Sequence, residues 1–550
     1  MDSNNKMNSL QQVFEYHQST KHDSQRFAKG PGYLDWETQP NPFRRYKGAP
    51  LIPLEKNFPS RDLLYDEVFI PGRVPPAPVN FQSISQLFFD SLAISAWKKA
   101  GETSWALRVN PSSGNLHPTE GYLICGPIEG LCDTPMICHY APKEHGLEVR
   151  AKFELPLWED LWASLPGGTF FIGLASIHWR EAWKYGQRAY RYCQHDVGHA
   201  IGAISIASAG LGWRARILDD MSAEELTLLM GMFRNYKIES EEPDLLMAII
   251  PCKEKIKEMV LPGNRDRFLT FENLYWRGSP NQLSQSQIDW GLDEISGAAR
   301  KPHGPVSYAR AQKKPNHFPL KIRSVSLSNM IHQRRSAVAM DGKTRISQET
   351  FYRILQRAVA VADNIPFSAL PWKPYIHLAI FVHRVDNLAS GLYFLARDSS
   401  MKKHLEKAFT QVDAWRRPLG CPDFLKLYCL FEGDLEKIAQ NVSCSQEIAG
   451  DSCFSLGMIA EYEKPLESYG PWFYPRLFWE AGVIGQMLYL EAEAAGIRGT
   501  GIGCFFDDAM HEILGLKDRK YQDLYHFTVG GPVEDTRLTT LPAYSKLNGS

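Results

Sequence analysis

No C-x-x-C pair occurs among the ten cysteines. That argues against a zinc ribbon or a disulfide scaffold and fits a reducing compartment, in which the sequon Asn441-Val-Ser443 is idle. The opening stretch, Met1 to Leu10, holds no apolar core of the kind a secretory signal needs, so a cytoplasmic chain is expected. The formal net charge is −1, too small for a global field that would recruit nucleic acid or an anionic membrane. The best candidate for a membrane span, the uncharged run Val197 to Trp213, falls short of the roughly 20 residues a span requires and carries His199, Ser205 and Ser208. It reads instead as a helix buried on all sides, its small residues allowing close helix contact. No P-loop is present and no G-x-G-x-x-G follows a strand, so the chain has no dinucleotide domain of its own. His195 and His199 stand at i, i+4, but no third ligand accompanies them and no metal is expected.

What is there is ordinary globular composition, 44% hydrophobic and 22% charged over 550 residues. Length alone allows three or four domains, or two large ones. Residues 1–60 are proline-rich beyond residue 30 and read as an extended arm wrapped on a core. Residues 80–100 carry Ile84, Leu87, Phe88, Leu92, Ile94 and Trp97 and read as a helix ending at Gly101. Residues 277–320 shift to Gly, Pro, Ser, Gln and Lys and read as a connection, giving boundaries of 1–60 (arm), 61–260, 261–320 (linker) and 321–550.

The stretch Arg108 to Tyr122 concentrates turn chemistry. Pro111 sets φ, and Ser112, Ser113, Gly114 and Asn115 follow with little bulk. Such a loop feeds a buried strand, or lets backbone N–H groups approach a flat, electron-rich ligand.

The second part of the chain repeats the first. Gly173, Tyr185, Gly186, Tyr190, Gly198 and Gly212 recur as Gly457, Tyr469, Gly470, Tyr474, Gly482 and Gly496, all at an offset of 284, and Asp196 meets Glu480 at the same offset. The expectation is an α+β chain of two fused copies of one domain. The copies have diverged. Only the first has the full Pro-Ser-Ser-Gly-Asn loop; the second has Pro366 to Trp372 there. Only the second has Arg334-Arg-Ser336 and Gly501-Ile-Gly-Cys-Phe505.

In this order, Arg108 to Tyr122, Lys184-Tyr-Gly186, Asp196-Val-Gly198, Arg334-Arg-Ser336, Gly501 to Phe505 and Val529 to Asp535 resemble the nitroreductase superfamily, and within it the SagB-type dehydrogenases, over about residues 80–540. The resemblance implies two nitroreductase-like domains, each a mostly antiparallel sheet flanked by helices, joined as an intramolecular pseudo-dimer. It implies FMN at the interface. One copy would supply Arg334, Arg335, Ser336, Gly501, Gly503 and Cys504, the other Arg108, Pro111, Ser112, Ser113 and Asn115. Because the losses are complementary, one composite site is expected and its counterpart is decayed. Val338 and the tail Leu541–Lys546 depart from the family's basic residues, with Arg537 or Lys546 as substitutes. Lys184 and Tyr185 are implied as the acid–base pair, a role a desolvated lysine suits; packed surface residues are the plainer alternative. His117 is a candidate substrate contact or a structural hydrogen-bonder.

The implied activity is oxidation of a C–N or C–C bond in a small molecule or azoline-containing peptide, with NAD(P)H or O2 as possible redox partner. Two alternatives stand beside it: an NAD(P)H-dependent nitro, quinone or imine reductase, and a non-catalytic scaffold of a peptide-modifying complex.

Overall fold

The computed structural model describes residues 3–58, 62–233, 239–251, 265–304, 306–309, 321–360 and 364–544. Its frame is a pair of antiparallel sheets. In spatial order the first runs Leu51–Pro53, Gly146–Lys152, Met136–Ala141, Thr119–Cys125, Phe170–Ser176, Glu242–Ile250 and Arg214–Ile217. The second runs Leu427–Glu432, Gly391–Leu395, Ile376–Val382, Phe454–Glu461, Tyr521–Gly530 and Arg498–Ile502. Apart from the extra edge strand Leu51–Pro53, the two orders are the same, strand for strand. The fold is therefore a mixed α+β, nitroreductase-like one, built from two copies within a single chain.

The copies meet along two long helices, Ala189–Gly210 and Tyr474–Ala494. Every residue of the first is buried, which is why its sequence shows no polar face: both sides are packed. They cross at glycines 284 residues apart. A Cβ on Gly198 would collide with the Trp479 carbonyl oxygen and lie 2.8 Å from Gly482 Cα; one on Gly482 would lie 2.7 Å from Gly198 Cα. Beside the crossing, Tyr190 and Tyr474, another pair from the repeat, stack with planes 3° apart. Residues equivalent by the repeat thus touch each other, as expected on a local two-fold axis.

The termini are exchanged between the halves. Thr539–Pro542 pairs antiparallel with Ile94–Ala100, extending a hairpin of the first half. At the other end Ser3–Ser19 is a helix, where an extended arm is expected from the sequence. Val13, Phe14 and His17 recur at helical spacing and bury one face. Phe14 packs on Tyr462, and the His17 ring lies 3.1 Å from both Tyr474 Oη and Gln522 Oε1.

A second correction falls at residues 80–100. The helix is only Phe81–Phe89, capped by Asn80; Ile94–Ala100 is a strand. Ile84, Leu87 and Phe88 follow the helical period, whereas Ile94 and Ala96 alternate with Ser95 and Trp97 across a strand that turns back at Gly101, φ 57°. In the expected linker, Phe268, Phe271, Leu292 and Ile295 are buried, so the described parts of 265–304 pack rather than dangle.

One buried network braces the first sheet under the loop Arg108–Tyr122. His139 lies 2.8 Å from Glu120 Oε2 and 2.9 Å from Glu148 Oε2; Arg45 donates to Glu148 at 2.7 Å, and Arg180 pairs with Glu120 and donates to the His117 carbonyl oxygen at 2.6 Å. Burial alone would lower the His139 pKa, but hydrogen bonds to Glu120 and Glu148 outweigh it and raise it to about 9. A raised folded-state pKa gives stability that is complete below the unfolded value near 6.5 and is lost as pH rises through about 9. The gain is roughly 3 kcal/mol at most. Chemical denaturation of His139→Gln and the parent should therefore show a stability gap that is widest near about pH 6 and shrinks toward about pH 10. A gap that widens with pH would contradict a protonated His139.

Candidate functional site

Between the halves lies a cavity of about 460 Å³, within the range of small-molecule and cofactor sites. From the first half, Arg108, Pro111–Asn115, His117, Tyr185, Tyr192, Asp196 and His199 line it; from the second, Arg334–Ser336, Tyr489, Thr500–Cys504 and Tyr525 do so. The two sets of residues singled out in sequence, more than 200 positions apart, face one space.

The loop is held from below and within. Ser112 is extended, and Ser113–Asn115 make one tight turn. Gly114, Asn115 and His117 take φ of 57°, 59° and 53°, a region Gly and Asn enter at least cost. Asp196, on the long helix, accepts from the Ser113 N–H and from its hydroxyl, each at 3.1 Å. The Asn115 amide donates to the Ala106 carbonyl at 2.9 Å while its Oδ1 meets His117 Nε2 at 2.9 Å, and the His117 N–H donates to Ser112 Oγ at 2.8 Å. His117 is buried, and burial with the charges of Arg108 and Arg180 drives its pKa well down. It is thus a neutral strut of the loop, with Nδ1 left without a hydrogen-bond partner.

Lys184 and Tyr185 end the helix His178–Tyr185 against this loop. A Cβ on Gly114 would meet Tyr185 Oη at 2.7 Å and Lys184 Nζ at 3.2 Å, so a side chain there would push the tips of the pair aside. Burial, then Glu181, pushes the Tyr185 phenol well above its usual value. Glu181 itself is buried with both carboxylate oxygens unpartnered; burial and then Asp196 drive its pKa well up. Burial raises Asp196 to about 7 against the hydrogen bonds from Ser112 and Ser113.

The second half contributes charge. Arg334 is 4% exposed, donates to the Arg108 carbonyl oxygen at 3.1 Å and lies over the Tyr489 ring at 5.0 Å. Its Nε and that of Arg108 have no hydrogen-bond partner. Arg335 donates to Ser95 Oγ at 3.2 Å and to the His332 carbonyl at 2.9 Å. Burial lowers the guanidinium pKa of all three arginines, to about 10 in Arg108 and Arg335. Ser336 Oγ meets Tyr489 Oη at 2.9 Å, and that hydroxyl accepts from the Gly501 N–H at 2.9 Å. The glycines here serve neighbours as well as the cavity: side chains at Gly501 and Gly503 would collide with Tyr525 and Tyr192.

Two cations that sequence reading missed also line the cavity, Lys98 and Arg498. Arg498 pairs with Glu534 at 2.8 Å, and Lys98 donates to Thr540 at 2.7 Å. Of the tail residues considered in their place, Arg537 is exposed and paired with Asp535, and Lys546 lies outside the described residues. Val338 lines the cavity while 70% exposed. His199 reaches Tyr525 Oη at 3.1 Å, and His195 stacks on the same ring.

The pseudosymmetric positions are filled by side chains. Tyr192 and Gly503 correspond by the repeat to Arg476 and Asp219, which form a buried ion pair. Beside it only about 50 Å³ remains. In the loop's counterpart Trp372 packs on Phe473 and Tyr308, while Glu480, the partner of Asp196 in the repeat, accepts from the Tyr375 and Ile376 N–H groups at 3.0 and 3.2 Å.

Residues 396–531 match the nitroreductase family. No curated protein matches the chain. Among solved structures, a candidate nitroreductase from Anabaena variabilis superposes with a TM-score of 0.68 at 21% identity, covering 95% of this chain and 99% of its own. The E. coli microcin synthetase McbBCD complex with truncated pro-MccB17 bound gives 0.27 at 16% identity, over 46% of this chain and 94% of that one. The NADPH:FMN oxidoreductase from Vibrio harveyi complexed with NAD+ gives 0.22 at 15%, over 38% and 68%. No helix among the described residues is long and apolar enough to cross a membrane. The chain thus has a nitroreductase-like fold along its length, and its residues 396–531 match the nitroreductase family.

Proposed function

We propose that this chain is an FMN-dependent oxidoreductase with one composite site, acting as a SagB-type dehydrogenase on a C–N or C–C bond of a small molecule or azoline-containing peptide. The observation that carries the reading is a cavity of about 460 Å³ lined by both halves, with the buried guanidiniums of Arg334 and Arg108 each holding an unpartnered Nε. Unsatisfied buried donors at a cavity favour an anionic guest. Arg334, Arg335 and Ser336, with Lys98 and Arg498 nearby, would hold the phosphate. Pro111 to Asn115 and Gly501 to Cys504 would flank the ring. FMN, when bound, supplies a two-electron acceptor for hydride.

The chain's own residues would supply the proton chemistry. Loss of hydride from carbon goes with loss of a proton from its neighbour. Tyr185 stays a phenol, its ionisation opposed by burial and by Glu181, so it can donate a hydrogen bond but not act as base. Lys184, whose Nζ lies by Gly114 of the loop, would accept the proton, the role the resemblance implies for it. Asp196 keeps the loop in place, and His117 keeps its left-handed turn.

The deciding experiment is a flavin titration followed by anaerobic reduction. One FMN per chain is expected, unaffected by Ser368→Ala in the second-half loop. Bleaching by an azoline peptide without NAD(P)H supports the dehydrogenase. Bleaching by NADPH alone would make it a nitro, quinone or imine reductase. Failure to take up FMN would leave a scaffold, and two FMN per chain would refute the composite site.

A further inference from the structure

Two thiols meet at the edge of this cavity, and no step above uses them. Cys504 lines the cavity; Cys444 lies on the turn after the helix Glu436–Val442. Their Sγ atoms are 2.7 Å apart, well inside the ordinary contact distance of two sulfurs. Both residues are only partly buried, so a small reagent can reach them. Their backbones are tied together: the Gln446 amide donates to the Cys504 carbonyl at 2.9 Å and the Ser443 carbonyl at 2.8 Å, and the Phe506 N–H donates to the Val442 carbonyl at 2.9 Å. Arg188 places its charge beside them, donating to the Gly503 carbonyl oxygen at 3.3 Å.

We propose that Cys444 and Cys504 form a thiol–disulfide reaction site, closing to an intramolecular disulfide with a low-molecular-weight disulfide as oxidant and reopening with a dithiol. Cys504 gives up its proton, and its thiolate attacks one sulfur of the small disulfide. That S–S bond breaks, and the leaving thiolate takes a proton and departs as a thiol. Cys444 then gives up its proton and attacks Cys504 Sγ, breaking the mixed disulfide and releasing a second small thiol. In sum, two protein thiols become one disulfide, and two electrons with two protons pass to the two small thiols.

The order of attack follows from placement. Cys504 lines the cavity through which a small disulfide arrives, and Cys444 is not among the lining residues. The Arg188 charge favours a thiolate at Cys504, against burial and Asp507. A second pair, Cys125 and Cys132, is looser, with sulfurs 3.9 Å apart and Cys125 fully buried. It serves as an internal comparison.

The test uses the full chain, oxidised glutathione, iodoacetamide alkylation and peptide mapping. After oxidation the wild type should lose two alkylatable thiols and yield a linked peptide joining residues 444 and 504, and dithiothreitol should restore both. Cys444→Ser should stop at glutathione held on Cys504, and Cys504→Ser should give no cross-link. The proposal is overturned if both thiols stay fully alkylatable, if wild-type Cys504 keeps its glutathione, or if the cross-link formed joins Cys125 and Cys132. The wild-type map needs no variant to fold, and none of these outcomes depends on bound flavin.

Discussion

Arg334→Met is expected to raise the thermal stability of the flavin-free protein while weakening flavin uptake on the order of 100-fold. The Arg334 guanidinium is buried, donates one hydrogen bond at 3.1 Å to the Arg108 carbonyl oxygen, leaves Nε unpartnered and makes no ion pair with a carboxylate among the described residues. Burial lowers its proton affinity, as it does for a charge held out of water without compensation. Replacing it with an unbranched apolar side chain of similar length removes that cost at the expense of one hydrogen bond and the contact with Tyr489. A net gain of about 1–3 kcal/mol is reasonable for such an exchange. On the other side of the ledger, a hydrogen bond to a charged group contributes roughly 1.5–3 kcal/mol, so flavin affinity should fall on the order of 100-fold. Differential scanning fluorimetry with and without FMN reads both effects. The parent should gain stability from FMN, and the variant should start higher and gain much less at the same FMN concentration. A variant that melts lower without flavin would make Arg334 a structural strut rather than a cation kept for a ligand.

The duplication was legible because glycine marks positions where no side chain can fit. Gly198 and Gly482 recur at one offset because each is where the partner helix's backbone passes. The loop Pro111–Asn115 was legible for the same reason: its left-handed φ values select Gly and Asn. What glycine does not say is which neighbour requires it. The resemblance places Gly501 and Gly503 at a flavin, and they also make room for Tyr525 and Tyr192. Lys98 escaped because its strand was read as the end of a helix, and because its place at the cavity depends on the tail Thr539–Pro542 pairing beside it. Arg498 stood directly before the Gly499-Thr-Gly segment but carried no motif of its own. Asp196 was visible as a repeated acid, yet its task of holding Ser113 follows only from tertiary contact.

Gly198→Leu should leave no folded protein, and a milder series shows why. A Cβ at Gly198 meets backbone, the Trp479 carbonyl and Gly482 Cα, and neither can turn aside. A Cβ at Gly485, on the same helix pair, meets the His199 ring at 2.7 Å, the far end of a side chain that can rotate. Alanine in a helix is intrinsically better than glycine by about 1 kcal/mol, so any loss must come from the contact. Gly198→Ala is therefore expected to destabilise by about 3 kcal/mol or more, and Gly485→Ala by much less. Urea denaturation of the two variants measures the difference; equal costs would mean that the helices do not meet as closely as Gly198 and Gly482 require. The same series bears on the site. Arg334 and Ser113 face one cavity only because the two long helices hold the halves together, so flavin uptake by Gly198→Ala should weaken along with its stability although no cavity-lining residue has changed. In Gly485→Ala the displaced ring is that of His199, which lines the cavity, so there uptake should fall further than the small loss of stability accounts for.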